Sequence, residues 1–267
     1  MTILYRWLLA AVLTLALAAC EESPTGRKRL ALIPDGQMAQ MGERTFQEMV
    51  RAQPLVSDPQ AKAYVACVAR ALIDALPPEY AHGRWSVALF GDASPNAFAL
   101  PGGKIGVNAG MLKVARTQDQ LAAVIGHEIA HVVANHGNER LTQELAVQGG
   151  LILADLLAEH PNSREHQLLR GALGLGAQYG VLLPYSRTHE READVLGLDF
   201  MARAGFDPRE SLALWRNMAQ AGGGQPLEFL STHPSNATRL QELAAAMDGA
   251  MATYREARRQ GRQPQCR

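Results

Sequence analysis

Two histidines four residues apart, His127 and His131, enclose a glutamate at position 128 within the run LAAVIGHEIAHVVANH (121–136). On an α-helix, residues four apart lie about 40° apart around the axis, so both imidazoles project from one face. Two neutral imidazoles so placed can bind one divalent ion, and nitrogen donors suit zinc. Glu128, next to the first histidine, can reach a water beside such an ion. It can take that water's proton as the oxygen attacks a carbonyl. A catalytic zinc site keeps three protein donors and one open position, so a third donor is required elsewhere. The segment SRTHEREAD (186–194) supplies a candidate. Glu190 and Asp194 share a helix face. Glu190 can be the third donor, and Asp194, one turn on, can accept the ring N–H of a ligand histidine and fix its tautomer. Glu192 points about 160° away from Asp194 and is expected to be a solvated charge. His136 lies about 180° round the helix from His127, which keeps it from the same ion; a place at a helix end, near the negative pole, is expected. The competing reading is a chance HExxH whose histidines make ordinary hydrogen bonds.

These residues need a scaffold. Thr117 and Gln120 can form a capping box ahead of the apolar run Leu121, Val124, Ile125, Ile129, Val132 and Val133, which predicts a buried helix. Met38, Met41, Phe46 and Met49 recur at helical spacing and read as core. Asp58-Pro59 opens a helix that runs to about Leu76, where Pro77-Pro78 stops it. Residues 84–108 change to strand character: an alternating stretch 85–90, a second strand 96–100, a Pro101-Gly102-Gly103 turn and a third strand 104–108. The flank at Asn96, Ala97 and Phe98 could pair with an extended peptide; a plain structural hairpin fits the residues as well. Residues 139–159 read as a helix with Leu141, Leu151, Leu153 and Leu156 as apolar positions, broken at His160–Ser163. The glycine-rich segment 164–184 predicts either close helix packing, against the metal helix, or a lid. Asp207-Pro208 caps a helix holding Leu212, Leu214, Trp215 and Met218. Gly222-Gly223-Gly224 reads as a joint, and a last helix is expected from about Ser235 to Arg259. The fold class is α+β, mainly α, with a small sheet beside the metal helix.

Composition narrows the function. The 267 residues carry 26 basic and 26 acidic side chains, so the basic footprint of a nucleic-acid partner is absent. Arg6 is followed by the uncharged run WLLAAVLTLALAA and then Cys20, a targeting segment too short for a comfortable span. Leu17-Ala18-Ala19-Cys20 resembles the bacterial lipobox, which would make Cys20 the acylated mature N-terminus; an ordinary signal peptide is the alternative. Of the three cysteines, Cys67 and Cys266 then remain to pair or to stay as thiols.

Four blocks in order, NAFALPGGKIGV (96–107), LAAVIGHEIAHVVANH (121–136), SRTHEREAD (186–194) and STHPSNATRL (231–240), resemble the membrane-associated zinc metallopeptidases of the HtpX and CAAX prenyl protease type. Within them, the chain looks most like the periplasmic lipoprotein branch that includes LoiP and BepA. The resemblance implies a zincin-like domain over 36–255, after a signal peptide at 1–19 and a lipid-anchored tether at 20–35, with a tail at 256–267. It implies one Zn2+ per chain held by His127, His131 and Glu190, with Glu128 as base and Asp194 in support. It gives His233 a possible role as fourth donor, a plug on the site, against the plainer reading of a helix-start histidine. The oxyanion candidates are Tyr185, Arg187, His233 and Arg239. Glu21 after the cysteine favours the periplasmic face of the outer membrane over the inner membrane. The expected activity is a zinc metalloendopeptidase acting on misfolded or misassembled envelope polypeptides. The alternatives are a chaperone-like lipoprotein that holds such clients in the same groove with proteolysis latent, and a metal-free scaffold. The chain lacks the helical repeats of BepA and the multiple spans of HtpX, so repeat-borne partners and prenylated peptides are not expected.

Overall fold

A computed structural model describes residues 20–81, 84–158, 163–177, 183–221, 229, 233 and 239–267. The targeting run, the His160-Pro161-Asn162 break, the Gly222–Gly224 joint and most of the block 231–238 lie outside the described residues. The chain divides into two compact units.

The larger unit comprises residues 36–134 and 189–267. Its first helices are α1 (Asp35–Ala52), α2 (Pro59–Asp74) and the short α3 (Pro78–Ala81). Asp58 caps α2 as expected, its Oδ1 accepting the Gln60 N–H at 2.9 Å. Within the methionine stripe, Met38 and Phe46 are buried, whereas Met41 is exposed and takes no part in the core.

Three strands follow: β3 (Ser86–Phe90), β4 (Ala97–Leu100) and β5 (Lys104–Asn108). The order is β3-β5-β4, with β5 parallel to β3 and antiparallel to β4. The last strand in sequence is therefore the central one, and all five of its residues are buried. Gly102 and Gly103 turn β4 into β5 at φ values of +81° and +78°, a left-handed path that glycine takes without cost. Strand β4 is left at an edge.

After α4 (Met111–Val114) comes α5 (Gln118–Val133), the helix of His127, Glu128 and His131. Thr117 accepts the Gln120 N–H at 3.1 Å. The reciprocal half of the capping box goes elsewhere: Gln120 Oε1 accepts the Arg116 N–H at 2.8 Å, and its Nε2 donates to Glu210 at 2.7 Å. Helix α2, strand β4 and α9 (Glu210–Ala221) all pack against α5. Val65, Val68 and Leu72 meet Ile105, Val107, Leu121, Ile125 and Ile129 in one core, joined by Leu214 and Met218. The unit ends with α10 (Arg239–Arg259) and a tail bound by a Cys67–Cys266 disulfide across 199 residues. The tail is thereby ordered: Gln118, at the start of α5, accepts the Cys266 N–H at 2.9 Å and donates to the Pro264 carbonyl at 3.0 Å. A native disulfide of this kind contributes about 2–5 kcal/mol.

The smaller unit comprises residues up to Asp35 together with 135–188. The segment expected as a tether forms a hairpin of β1 (Cys20–Glu22) and β2 (Lys28–Leu30). The hairpin is fastened to α6 (His136–Leu157). Arg27 makes two bonds to the buried Glu139 at 2.6 and 2.7 Å, and the Leu32 and Ile33 N–H groups donate to Thr142 and Asn138. Helix α7 (Arg164–Ala177) packs against α6. Leu153 and Leu156, expected as apolar contacts of α6, are exposed.

His136 is not at a helix C-terminus. Helix α5 ends at Val133, Asn135 takes a left-handed φ of 58°, and His136 opens α6 at a helix's positive end. Helix α8 (Leu183–Ala204) carries Glu190 and Asp194, and its residues from His189 on belong to the larger unit.

Candidate metal centre

Helix α5 brings His127 and His131 to one face, with their ring centroids 4.7 Å apart and their Nε2 atoms 3.1 Å apart. Helix α8 delivers Glu190 from the other side. Its Oε2 lies 3.2 Å from His127 Nε2 and its Oε1 lies 3.4 Å from His131 Nε2. His233 completes the group, its Nδ1 3.3 Å from His127 Nε2 and 3.0 Å from Glu190 Oε1. These four side chains form a cluster able to hold a metal ion. Donors about 2.0–2.2 Å from a tetrahedral ion are separated by about 3.3–3.6 Å, and the observed spacings of 3.0–3.4 Å approach that geometry. His136 is not a member of this group.

Glu128 is buried beside the cluster. Its Oε2 accepts the Ala99 N–H at 3.2 Å, while its Oε1 makes no hydrogen bond and sits 3.4 Å from His233 Nε2. A buried carboxylate oxygen without a donor is costly, which fits a site built to take a further polar group. Burial pushes the Glu128 carboxyl up from its ordinary range, against the pull of His233 and His127.

The opposing influences on the histidines separate them. Burial, the largest influence on His127, pulls its imidazolium down, but hydrogen bonds with Asp194 and Glu190 hold it up at about 9. Burial wins at His131 and favours the neutral ring that a cation needs. Glu190 is held far below the usual carboxylate range: its own burial opposes ionisation, but His127, His131 and His233 together outweigh it. A cation held among these donors would take the place of the proton on His127 Nε2.

Behind His127 stands a second row. Asp194 Oδ1 lies 3.1 Å from His127 Nδ1, which fixes Nδ1 as the proton-bearing nitrogen and turns Nε2 toward the cluster. Asp194 is itself gripped by Arg239, with Nε donating to Oδ2 at 2.6 Å and Nη2 to Oδ1 at 2.7 Å. The Arg239 guanidinium lies 3.6 Å from the Trp215 ring centroid, and its Nη1 reaches the His233 carbonyl at 3.4 Å. Asp194 stays ionised because Arg239 and His127 outweigh its burial.

The chain belongs to peptidase family M48. The profile described as Peptidase family M48 matches residues 59–247, most of the chain. The mitochondrial metalloendopeptidase OMA1 of Schizosaccharomyces pombe is 40% identical over 162 residues, 60% of this chain and 46% of the relative. The human OMA1 metalloendopeptidase is 31% identical over 236 residues, covering 84% of this chain and 45% of the relative. The beta-barrel assembly-enhancing protease of Escherichia coli is 27% identical over 214 residues, 78% of this chain and 43% of the relative. The chain spans about half the length, or less, of the curated relatives it matches. The expected class, a metalloendopeptidase, is that of the family and of these relatives.

Within this M48 domain, some expectations from the sequence need correction. Glu192 is buried, not solvated, because α8 is enclosed on more than the face that bears Glu190 and Asp194. The glycines expected to let a helix approach the metal helix are not Gly171 and Gly174, where an added Cβ would meet open space. The close approach is made by Gly197 of α8, which lies against Gly126 and His127. Of the oxyanion candidates, His233 and Arg239 are at the site and Arg187 is exposed; the side chain of Tyr185 lies outside the described residues. Along β4, the Asn96 carbonyl accepts from Asn108 on the β5 side, whereas the Ala99 N–H turns away to Glu128. Strand alternation then puts the outward backbone groups at Ala97 and Ala99, not at Asn96 and Phe98. Trp215 and Phe229 wall the cluster, with Phe229 stacked on His233 at 4.5 Å. Trp215 reads in sequence as an ordinary core residue, and Phe229 carries no local signal.

Proposed function

We propose that this M48 domain is a zinc-dependent endopeptidase of the periplasmic lipoprotein branch, tethered through acylated Cys20 to the periplasmic face of the outer membrane. Its substrates on this reading are misfolded or misassembled envelope polypeptides. The observation that carries the peptidase reading is the convergence of His127, His131 and Glu190 on one point, with the orphaned oxygen of Glu128 beside it. Two imidazole nitrogens, borderline donors, with one carboxylate make a donor set that suits catalytic zinc.

Zinc, when bound, supplies the Lewis acidity that polarises a peptide carbonyl and acidifies a water. The chain's own residues do the rest. An extended polypeptide pairs with the outward groups of Ala97 and with the Ala99 carbonyl on β4, the Ala99 N–H being held by Glu128, which lays its backbone beside Glu128. Glu128 accepts a proton from the attacking water as the new C–O bond forms. It passes that proton to the amine nitrogen as the C–N bond breaks. Asp194 keeps the Nδ1 proton on His127, and Arg239 keeps Asp194 charged and in place.

His233 stands 3.3 Å from His127 Nε2 and 3.0 Å from Glu190, within reach of the place that a fourth donor or a reacting water would take. This favours a resting enzyme in which His233 is a removable plug, and it gives weight to a second reading: a client-holding lipoprotein whose proteolysis is latent.

The test uses purified protein and its Glu128→Gln variant. One equivalent of zinc in both, with casein cleavage only in the parent, is the expected result. Zinc absent from the parent, or cleavage undiminished in the variant, overturns the peptidase reading. Cleavage lost while envelope defects are still rescued in cells moves the weight to client holding. Cys20→Ser should abolish labelled-palmitate incorporation and raise the share of the protein found in the soluble periplasm; a wild-type chain that takes up no acyl chain at Cys20 defeats the anchor.

A further inference from the structure

Large apolar side chains are unevenly exposed in this protein. Among the described residues, most of those left open to solvent belong to the smaller unit. On α6 they are Leu145, Ile152, Leu153 and Leu156, each more than half exposed. On α7 they are Leu168, Leu169 and Leu173.

Their spacing makes a face. Leu145, Ile152 and Leu156 fall at i, i+7 and i+11, within about 40° of one another around the helix. Gly149 lies in the same stripe, and a Cβ there would meet no atom within 4 Å. No charged residue occurs from Leu145 to Ala154, or from Gly171 to Ala177. Asp155 and Arg170, which border the two uncharged stretches, pair with each other at 3.3 Å and tie the two helices together. An aliphatic surface of this kind marks a contact with an apolar medium or partner.

The position of Cys20 selects the occupant. Residues 1–19 lie outside the described part and run as an apolar segment into Cys20 of β1. Strand β1 pairs with β2, and the chain just after β2 is bonded to α6 through Leu32–Thr142 and Ile33–Asn138. The Arg27–Glu139 pair adds a buried clasp. The point where an anchor would leave the protein and the exposed leucines thus belong to one compact unit. None of the described helices is long and apolar enough to cross a membrane. A helix whose apolar side chains line one exposed face can lie in the headgroup boundary instead of spanning.

We infer that the α6–α7 helix pair is a second membrane contact, its leucine face seated in a phospholipid surface alongside the anchor at Cys20. The choice of lipid over a protein partner rests on the reading of Cys20 as the anchoring residue. The contact itself does not need the acyl chain.

Flotation separates the two. The Cys20→Ser chain is mixed with vesicles of phosphatidylethanolamine and phosphatidylglycerol and centrifuged through a sucrose step. We expect a measurable fraction to float. Leu153→Gln, Leu156→Gln and Leu169→Gln combined should lower the floated fraction by about tenfold or more, with circular dichroism and melting unchanged. A Cys20→Ser chain that stays with the soluble fraction overturns the proposal, as does equal flotation of the triple variant. Vesicle-free dimers that the triple substitution converts to monomers, without flotation, assign the face to a second copy and also overturn it. Labelled palmitate incorporation into the wild-type chain reports on the Cys20 anchor alone. If the triple variant misfolds, Leu156→Gln by itself, at the most exposed position, carries the comparison.

Discussion

Gly197 of α8 lies so close to His127 of α5 that a Cβ added to it would stand 2.9 Å from the His127 backbone nitrogen and Cα. Both neighbouring atoms belong to the main chain of a buried helix, so neither can yield as a flexible side chain could. This contact sets how near Glu190 and Asp194, on the same helix as Gly197, come to the histidines. Gly197→Ala should therefore push the helices apart. The expected cost is about 1–3 kcal/mol of stability, read from urea unfolding. Zinc affinity, read by competition with a chromophoric chelator, should weaken as well. An alanine variant with parental affinity would show that α8 can shift without moving Glu190.

His233 should act as a brake. Its Nδ1 stands 3.0 Å from Glu190 and its Nε2 stands 3.4 Å from Glu128, so the ring fills the space between base and donors. His233→Ala should raise the initial rate of casein cleavage by a few-fold while zinc content stays at one equivalent. Unchanged or lower activity would count against the plug.

Asp194 serves two partners, and its loss should have two separable consequences. Asp194→Asn takes from buried Arg239 its closer counter-charge and leaves it only Glu190 at 3.4 Å, a change that costs up to about 3–5 kcal/mol. It also weakens the hold on the His127 ring, which lowers metal affinity by about 10–100-fold. Adding Arg239→Met removes the stranded charge. Thermal stability should then recover in part, whereas zinc affinity should not. Parallel recovery of both would mean that Asp194 acts through folding alone.

Asp119, in the first turn of α5, accepts the Asp207 N–H at 2.7 Å. Burial is the main cause that raises its carboxyl above the ordinary 3.8, with the nearby Asp207 and Glu210 adding to it. The folded state therefore holds this proton more tightly than the unfolded chain does. Below 3.8 both states are protonated and the site is neutral in its effect. As pH rises through the raised value, ionisation adds a cost to the folded state. Asn at this position keeps the accepting oxygen without the charge. Asp119→Asn should melt higher than the parent at pH 7, and the difference should shrink to nothing as the pH falls to the ordinary carboxylate value. A difference that is constant across this range would assign the effect to something other than titration.

The candidate donors were legible in the sequence because helical periodicity is a local property. His127 and His131 share a face wherever α5 forms, and Glu190 and Asp194 share one on α8. The apolar run around the histidines shows that α5 is buried, and Pro101-Gly102-Gly103 shows where β4 turns. What sequence spacing could not show was decided at longer range. Strand order is one case: β5 is central because it pairs with β3 along one edge and with β4 along the other, a matter of which elements meet. Glu192 is another, since its burial depends on neighbours that no local pattern names. The close approach of α8 to α5 rests on Gly197, which looks no different in sequence from Gly171 or Gly174. Trp215, Phe229 and Arg239 come from separate segments, and only packing makes them the wall behind His127. Periodicity assigns a side chain to a face of its own element. The partner that face meets is fixed by the burial of the whole core, to which residues far apart in the chain contribute together.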